Sequence, residues 1–390
     1  MASSFRLRRF SSAYILKQIA RPLLLRFLHP HREFFASRGV ALKNSDDLDY
    51  DALAEALMNP GEDAPEKLLD ALYFVDELSA PEMYEDLLEV ARSSDVPLAD
   101  APDLSCADLA VRIWLDNADA LQRFHAERFA VRTKRFEYFP SIAKTIPKFR
   151  LPADSVLQSL QDDLNLFFET QKKGRGTRVF VFPREDIVWL LIRHGERIRR
   201  EGALDGEKSS GIFYRPEKFD VAIYDPALCE LAIHAETKGE KQAYCTLFGK
   251  HIFRNSALFD VETNAKFTLK PILELGARCL ACADVEGIER VRLVELHWRH
   301  DIDQYFVEIQ KAGDVFSALD EIGRAIPRNV DPLKAVFKIK FNGSDRERRV
   351  AVKLPNAAVF ERDSDSPLVH EWLARRGFSL RLVPVVGNVS

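Results

Sequence analysis

Apolar residues recur at three- and four-residue spacing through the first 150 positions, the period that gives a helix one buried stripe. Leu68, Leu69, Leu72, Tyr73 and Val75 form one such set, Leu87, Leu88 and Val90 a second, and Leu109, Ile113 and Leu115 a third. Pro60, Pro65, Pro81, Pro97 and Pro102 fall between these sets, where turns and first helical turns accept proline. The pattern predicts a helical N-terminal domain over residues 1–150, bounded by the proline-bearing stretch 140–152.

Beyond residue 150 the period changes. Asp154 or Ser155 can cap a helix whose stripe is Val156, Leu157, Leu160, Leu164, Phe167 and Phe168, ended by Lys172-Lys173-Gly174-Arg175-Gly176. β-type runs follow at 178–182, 187–193, 196–200, 211–214, 219–225 and 229–238, with gaps short enough for antiparallel neighbours. Helical segments near 239–253 and 269–283, then strands near 289–298 and 304–310, complete a central domain over 151–312. This domain is a mixed, mainly antiparallel sheet with flanking helices. In 313–390, Ala335, Phe337, Ile339 and Phe341 alternate up to an Asn342-Gly343 turn, and Val350, Val352 and Leu354 alternate back. Asp365-Ser366-Pro367 then opens a short helix through Trp372 that Gly377 ends, making a small C-terminal β-hairpin/helix module. The fold class expected is α+β.

Composition narrows the class. A chain of 390 residues that is 46% hydrophobic and 30% charged can bury two or three cores, and 17 Gly with 19 Pro exclude collagen-like or low-complexity character. The longest apolar stretch, 14–28, is broken by Lys17, Arg21, Pro22 and Arg26, so no membrane span is expected. Five scattered cysteines suit a reducing, cytoplasmic compartment rather than a disulfide framework.

Charge is segregated although its sum is only −4. Residues 1–43 carry nine Lys or Arg against Glu33, whereas 46–110 carry nineteen acids against Lys67 and Arg92. Opposite blocks inside one domain attract, which favours an intramolecular match. The Arg- and Ser-rich start is also the composition of a transit peptide or a nucleic-acid arm, and the acidic block could serve a protein partner.

The candidate chemistry centres on Asp220 and the later Glu236-Thr237-Lys238. If Pro226-Ala227-Leu228 is a hairpin loop, Asp220 faces His234, and Asp220, His234, Glu236 and Lys238 share the face opposite Phe219, Val221 and Ile223. Two carboxylates converging across a strand pair suit Mg²⁺, with Lys238 orienting a water. This set resembles the PD-(D/E)XK nuclease superfamily across residues 154–310, although Phe219 rather than proline precedes Asp220. The resemblance implies a metal-dependent phosphodiesterase with Asp220 and Glu236 as metal ligands and Lys238 as a catalytic group. It also implies a helix (154–172) before the Asp220 strand, then a later helix (239–253) and strand (289–298).

Arg193-His194-Gly195-Glu196 resembles the signature of the histidine phosphatase superfamily, in which His194 would be phosphorylated and the arginine would grip the phosphate. No later catalytic histidine matches, so the expectation is a turn at His194-Gly195. Cys279-Leu280-Ala281-Cys282 lies in an apolar helical run and reads as structural thiols. The hairpin carries Lys334, Lys338, Lys340, Arg346, Arg348, Arg349 and Lys353 against Asp345 and Glu347, and Lys338, Lys340, Arg346, Arg348 and Arg349 are the expected nucleic-acid contacts. The readings are thus a Mg²⁺-dependent nuclease or nuclease-derived DNA-binding protein, from another class a non-enzymatic scaffold or nucleic-acid-binding subunit of a multiprotein system, and as a lesser alternative a histidine-phosphatase-like phosphohydrolase.

Overall fold

The computed structural model describes residues 7–43, 48–61, 63–98, 104–142, 149–184, 186–205, 208–259, 261, 265–362 and 365–380; Pro102 and residues 143–148 of the expected boundary at 140–152 lie outside them. The chain is α+β and divides into two compact units, 1–128 and 129–390, rather than at residues 150 and 312.

The first unit is helical: α1 (Ala13–Leu16), α2 (Arg21–Leu28), α3 (Arg32–Ser37), α4 (Tyr50–Met58), α5 (Glu66–Leu78), α6 (Tyr84–Ser93) and most of α7 (Cys106–Arg132). Of the spaced leucines seen in the sequence, Leu68, Leu72, Leu87 and Leu109 are buried in its core. Asp49 caps α4 by accepting from the Asp51 and Ala52 N–H groups. Arg38 pairs with Asp63 and Arg26 with Asp116, so part of the basic start is matched within the unit.

The second unit is built on one sheet. Its strands are β1 (Arg135–Pro140), β2 (Arg178–Arg184), β3 (Ile187–Gly195), β6 (Glu217–Asp225), β7 (Glu230–His234), β8 (Ile288–His300), β9 (Val307–Lys311), β10 (Val330–Phe341), β11 (Arg348–Lys353) and β12 (Ala357–Val359). They lie in the order β2-β3-β6-β7-β1-β12-β11-β10-β8-β9, while β4 (Arg199–Asp205) and β5 (Lys208–Tyr214) form a separate ribbon. The hairpin expected to stand alone, β10–β11, is an interior part of the large sheet. Its neighbour β8 pairs with β10 and β9, not with a strand of the Asp220 hairpin.

Helices α8 (Asp154–Thr170) and α9 (Lys238–Phe253) cover one face of β2, β3, β6 and β7. Leu160, Leu164 and Phe168 of α8 meet Tyr244 and Phe248 of α9 over Leu190, Ile192, Ala222 and Ile233. The rest of the unit has α10 (Lys270–Leu275), α11 (Val315–Glu321) and α12 (Ser366–Arg375). Only 270–275 of the expected helix at 269–283 is α-helical, because Gly276 leaves the helical region and 276–280 continue as a 3₁₀ turn. On α12, Trp372 packs edge-on against Phe337 of β10 at 5.0 Å between ring centres.

Pairing across the sheet fixes which side chains share a face. Leu190 faces Ala222, Ala222 faces Ile233, Ile233 faces Glu137, Glu137 faces Ala357, Ala357 faces Lys353, Lys353 faces Lys334 and Lys334 faces His297. Directly opposed residues point the same way. The face covered by α8 and α9 at one end is therefore the face that carries Lys334 and Lys353 at the other, where Phe337 and Trp372 lie on the opposite side.

Candidate functional site

The Asp220 hairpin closes one residue differently from the expectation. Asp225 pairs with Glu230, so the connection is the four residues Pro226–Cys229, and Val221 rather than Asp220 faces His234. The Asp225 carboxylate accepts from the Ala227 and Leu228 N–H groups, and Cys229 takes φ +46°, which closes the longer loop. A shift of one residue moves a side chain relative to its partners' faces. Asp220 accordingly joins Ala222, Tyr224 and Ile233 under the helices and is fully buried.

The expected partners separate as well. Glu236 lies past the end of β7 with an exposed side chain, and Lys238 is the exposed first residue of α9. Thr237 caps that helix: its hydroxyl accepts from the Glu240 N–H and the Glu240 carboxylate accepts from the Thr237 N–H. The capping box rolls Lys238 away from the strand pair and turns Glu240 inward.

A buried polar cluster results. Asp220 Oδ2 accepts from the Tyr244 hydroxyl at 2.7 Å and lies 3.1 Å from His194 Nε2. The His194 ring stacks on Phe168, with 4.1 Å between ring centres. Lys173 donates to Glu240 at 2.6 Å and to Glu196 at 3.1 Å. Lys218 reaches Glu236 at 2.8 Å, Glu196 at 3.4 Å and Asp220 Oδ1 at 3.9 Å, and Asp220 Oδ1 has no hydrogen-bond partner. Burial works against an ionised Glu240, but the Lys173 ammonium and the Thr237 N–H outweigh it and bring its pKa from 4.5 to about 2. Burial and the Asp220 charge push the Tyr244 hydroxyl well up, so it stays a donor.

His194, Asp220 and Glu240 are the only described group of three whose ligand atoms converge, within 4.8 Å of one another. The donor set does not fit a Mg²⁺ ion, which takes oxygen ligands in open octahedral geometry and keeps several waters. Here Lys173 and Lys218 stand against the carboxylates, His194 and Tyr244 occupy one oxygen of Asp220, and the three residues are buried.

Arg193 and His194 are consecutive on β3 and so point to opposite faces, His194 into the cluster and Arg193 toward Glu217 at 3.5 Å. They do not converge on one phosphate. Gly195 has its own reason to be glycine: a Cβ there would sit 2.6 Å from the Arg215 side chain and 2.7 Å from the Lys173 carbonyl. Arg215 bonds the carbonyls of Lys172 and Glu196 and pins the base of the β4–β5 ribbon. Cys279 is buried, its thiol pushed up to about 12 by burial.

The second candidate site is the face of β8, β10 and β11 that carries Lys334 and Lys353, on which Lys338, Arg349 and Arg290 are exposed. Lys338 and Arg349 face each other on it, and Lys340 bonds Glu289 at its margin. Arg346 is exposed in the turn that follows β10. Arg348 departs from the expected set: it pairs with Ile339, points to the other face and binds Asp365 at 3.0 Å. Sequence reasoning missed Arg290, Arg292 and Lys311, which β8 and β9 bring to the face. The alternating charges of Glu289-Arg290-Val291-Arg292 were the available signal.

Glu295 lies near the centre of this surface. It accepts from Lys334 at 2.7 Å and Arg349 at 3.3 Å, with His297 at 2.6 Å and Lys311 at 3.6 Å. Burial would raise its pKa, yet Lys334 and His297 hold it at about 2. Glu347 likewise sits among Arg292, Arg290 and Lys338, at 2.5, 3.2 and 4.0 Å. The face continues toward α9 as a cleft of about 310 Å³ lined by Arg135, Glu137, Lys218, Glu236 and Lys241 among others. The sequence matches no protein-family model and no curated protein.

Proposed function

We propose that this chain is a nucleic-acid-binding subunit that holds a phosphate backbone on the cationic face of β8, β10 and β11, and that the Asp220 cluster is structural. The single observation that carries the reading is the charge of that face. Arg290, Arg292, Lys311, Lys334, Lys338, Lys340, Arg349 and Lys353 stand on or beside it against Glu289, Glu295 and Glu347. A local excess of five positive charges on a protein of net charge −4 is the footprint of a polyanion partner. The nuclease reading would need open carboxylates at Asp220 and Glu236, and both are met by protein donors.

The test is fluorescence anisotropy with a labelled oligonucleotide of arbitrary sequence, titrated across a range of salt. Binding at low salt that weakens steeply as salt rises, and is lost in Lys338→Glu/Arg349→Glu, is the expected result. No binding at low salt, or full binding by the double variant, overturns the reading. In a plasmid-nicking assay with Mg²⁺, Asp220→Ala and wild type are both expected to be inactive.

A further inference from the structure

Two of the most exposed large apolar side chains among the described residues, Leu204 at 77% and Phe213 at 69%, stand on one face of the β4–β5 ribbon. Arg200 opposes Phe213 there, Gly202 opposes Gly211 and Leu204 opposes Ser209, so these six residues share that face. No acid is among them. Glu201 falls on the other face, where it accepts from the Tyr214 hydroxyl at 2.7 Å.

The two glycines keep the middle of this face low. A Cβ on Gly211 would meet the Arg200 side chain at 2.7 Å, so the guanidinium lies over bare backbone, 5.9 Å from the centre of the Phe213 ring. A Cβ on Gly202 would meet nothing within 4 Å. Among the described residues Arg200 has no acidic partner. The sheet face differs in this respect, since Lys334, Arg349, Arg292 and Lys340 each meet a carboxylate within 3.3 Å.

Strand register places the ribbon at the cationic end of the sheet. It leaves from Gly195 of β3 and returns at Glu217 of β6. Following the pairs from Val221 and His234 through Arg135 and Val359, the same end of the sheet carries Arg349, Lys338 and Arg292. Four strand spacings separate β6 from β11, about 19 Å along the sheet.

Resting on the nucleic-acid reading, we infer that this face of the ribbon is a stacking platform for unpaired bases, so that the partner is a single strand. Phe213 takes the base, Arg200 the adjacent phosphate, and the cations around Lys338 and Arg349 the continuing backbone. Proteins that hold single strands combine a cationic track with exposed aromatic rings. The aromatic side chains of β8–β11, namely Trp298, Phe337 and Phe341, are buried, so the sheet supplies only the first of these and the ribbon supplies the second. In a duplex the base faces are already stacked on one another and offer nothing to Phe213.

The experiment measures binding of the full-length protein by anisotropy over a salt series. The probes are a strand of about 20 nucleotides, longer than one such site, the same strand as a duplex, and an abasic strand of equal length. Phe213→Ala is expected to weaken single-strand binding at least fivefold, the low end for one stacked base, without changing the salt slope. Phe213→Trp restores wild-type affinity. Arg200→Gln lowers the slope by about 0.7, one phosphate contact on a single strand. The abasic strand binds wild type and Phe213→Ala alike, and duplex affinity is the same in both. Phe213 and Arg200 are exposed, so the melting temperature of each variant stays at the wild-type value.

Single-strand binding by Phe213→Ala equal to wild type, or by Phe213→Trp as weak as Phe213→Ala, overturns the stacking platform and leaves the ribbon to a protein partner. Equal loss on duplex and single strand overturns the single-strand assignment. In both cases nucleic-acid binding by the sheet face stands. Failure of every oligonucleotide to bind wild type instead overturns the reading on which the inference rests.

Discussion

Lys173 shows how one side chain decides what the Asp220 region can do. Its ammonium stands between Glu240 and Glu196 and is only 10% exposed, so removing it leaves two acids without a partner in a buried site. Lys173→Ala should cost about 3–5 kcal/mol, the range for breaking a buried pair by removing one partner, as measured by urea denaturation. The pH dependence follows from Glu240, whose folded pKa of about 2 lies below its ordinary 4.5. The stability from this lowered pKa is fully present above about pH 4.5 and is lost as pH falls toward 2. Wild type should therefore lose more stability than Glu240→Gln over that window, and parallel curves would count against the pairing. Since lysines already stand against these carboxylates, millimolar Mg²⁺ should leave the melting temperature unmoved. A rise that saturates with Mg²⁺ and is absent in Asp220→Asn would show a metal site instead. Of the residues singled out from the sequence, Asp220 and His194 do meet, but Glu240, Lys173 and Tyr244 come from elements that only folding brings beside them. Thr237-x-x-Glu240 is a capping-box pattern, and reading it as such would have moved Lys238 onto a helix.

At the scale of elements, the clearest signals were alternation and helical period. The β10–β11 hairpin and helix α8 stand where those patterns put them, because each buries one regular face. Register was not legible in the same way. Both faces of β6 and β7 are buried, so a slip by one residue exchanges one apolar set for another and the hydrophobic pattern does not choose between them. The Asp225 turn chose. The β4–β5 ribbon is the opposite case, two paired strands with Leu204 and Phe213 largely exposed and, among the described residues, no third strand beside them. Two-stranded ribbons are marginal in water without packing. Hydrogen exchange should therefore be fast in β4 and β5 and slowest in β10, which lies between β8 and β11 and has a buried row of Ala335, Phe337 and Ile339. Protection in the ribbon equal to that in β10 would mean that it is packed against a partner.

For the whole molecule, what matters is where charge sits, not its total. With an isoelectric point near 6.2 the protein is anionic at pH 7, yet one sheet face is strongly cationic. It should therefore be retained by a phosphate-bearing cation exchanger above its isoelectric point, and Lys338→Glu/Arg349→Glu should abolish retention. Flow-through of the wild type would mean that the acids elsewhere on the surface dominate. The sequence by itself determined the α+β class, the helical character of the first unit and the basic hairpin, because these depend on local period and composition. Only the tertiary structure decided that the hairpin is part of a ten-stranded sheet, that Arg348 turns away while Arg290, Arg292 and Lys311 join the face, and that Asp220 is buried against His194 and Tyr244. The reason is physical: strand order, register and the choice of covered face are set by contacts between residues far apart in the chain, and no local pattern encodes them.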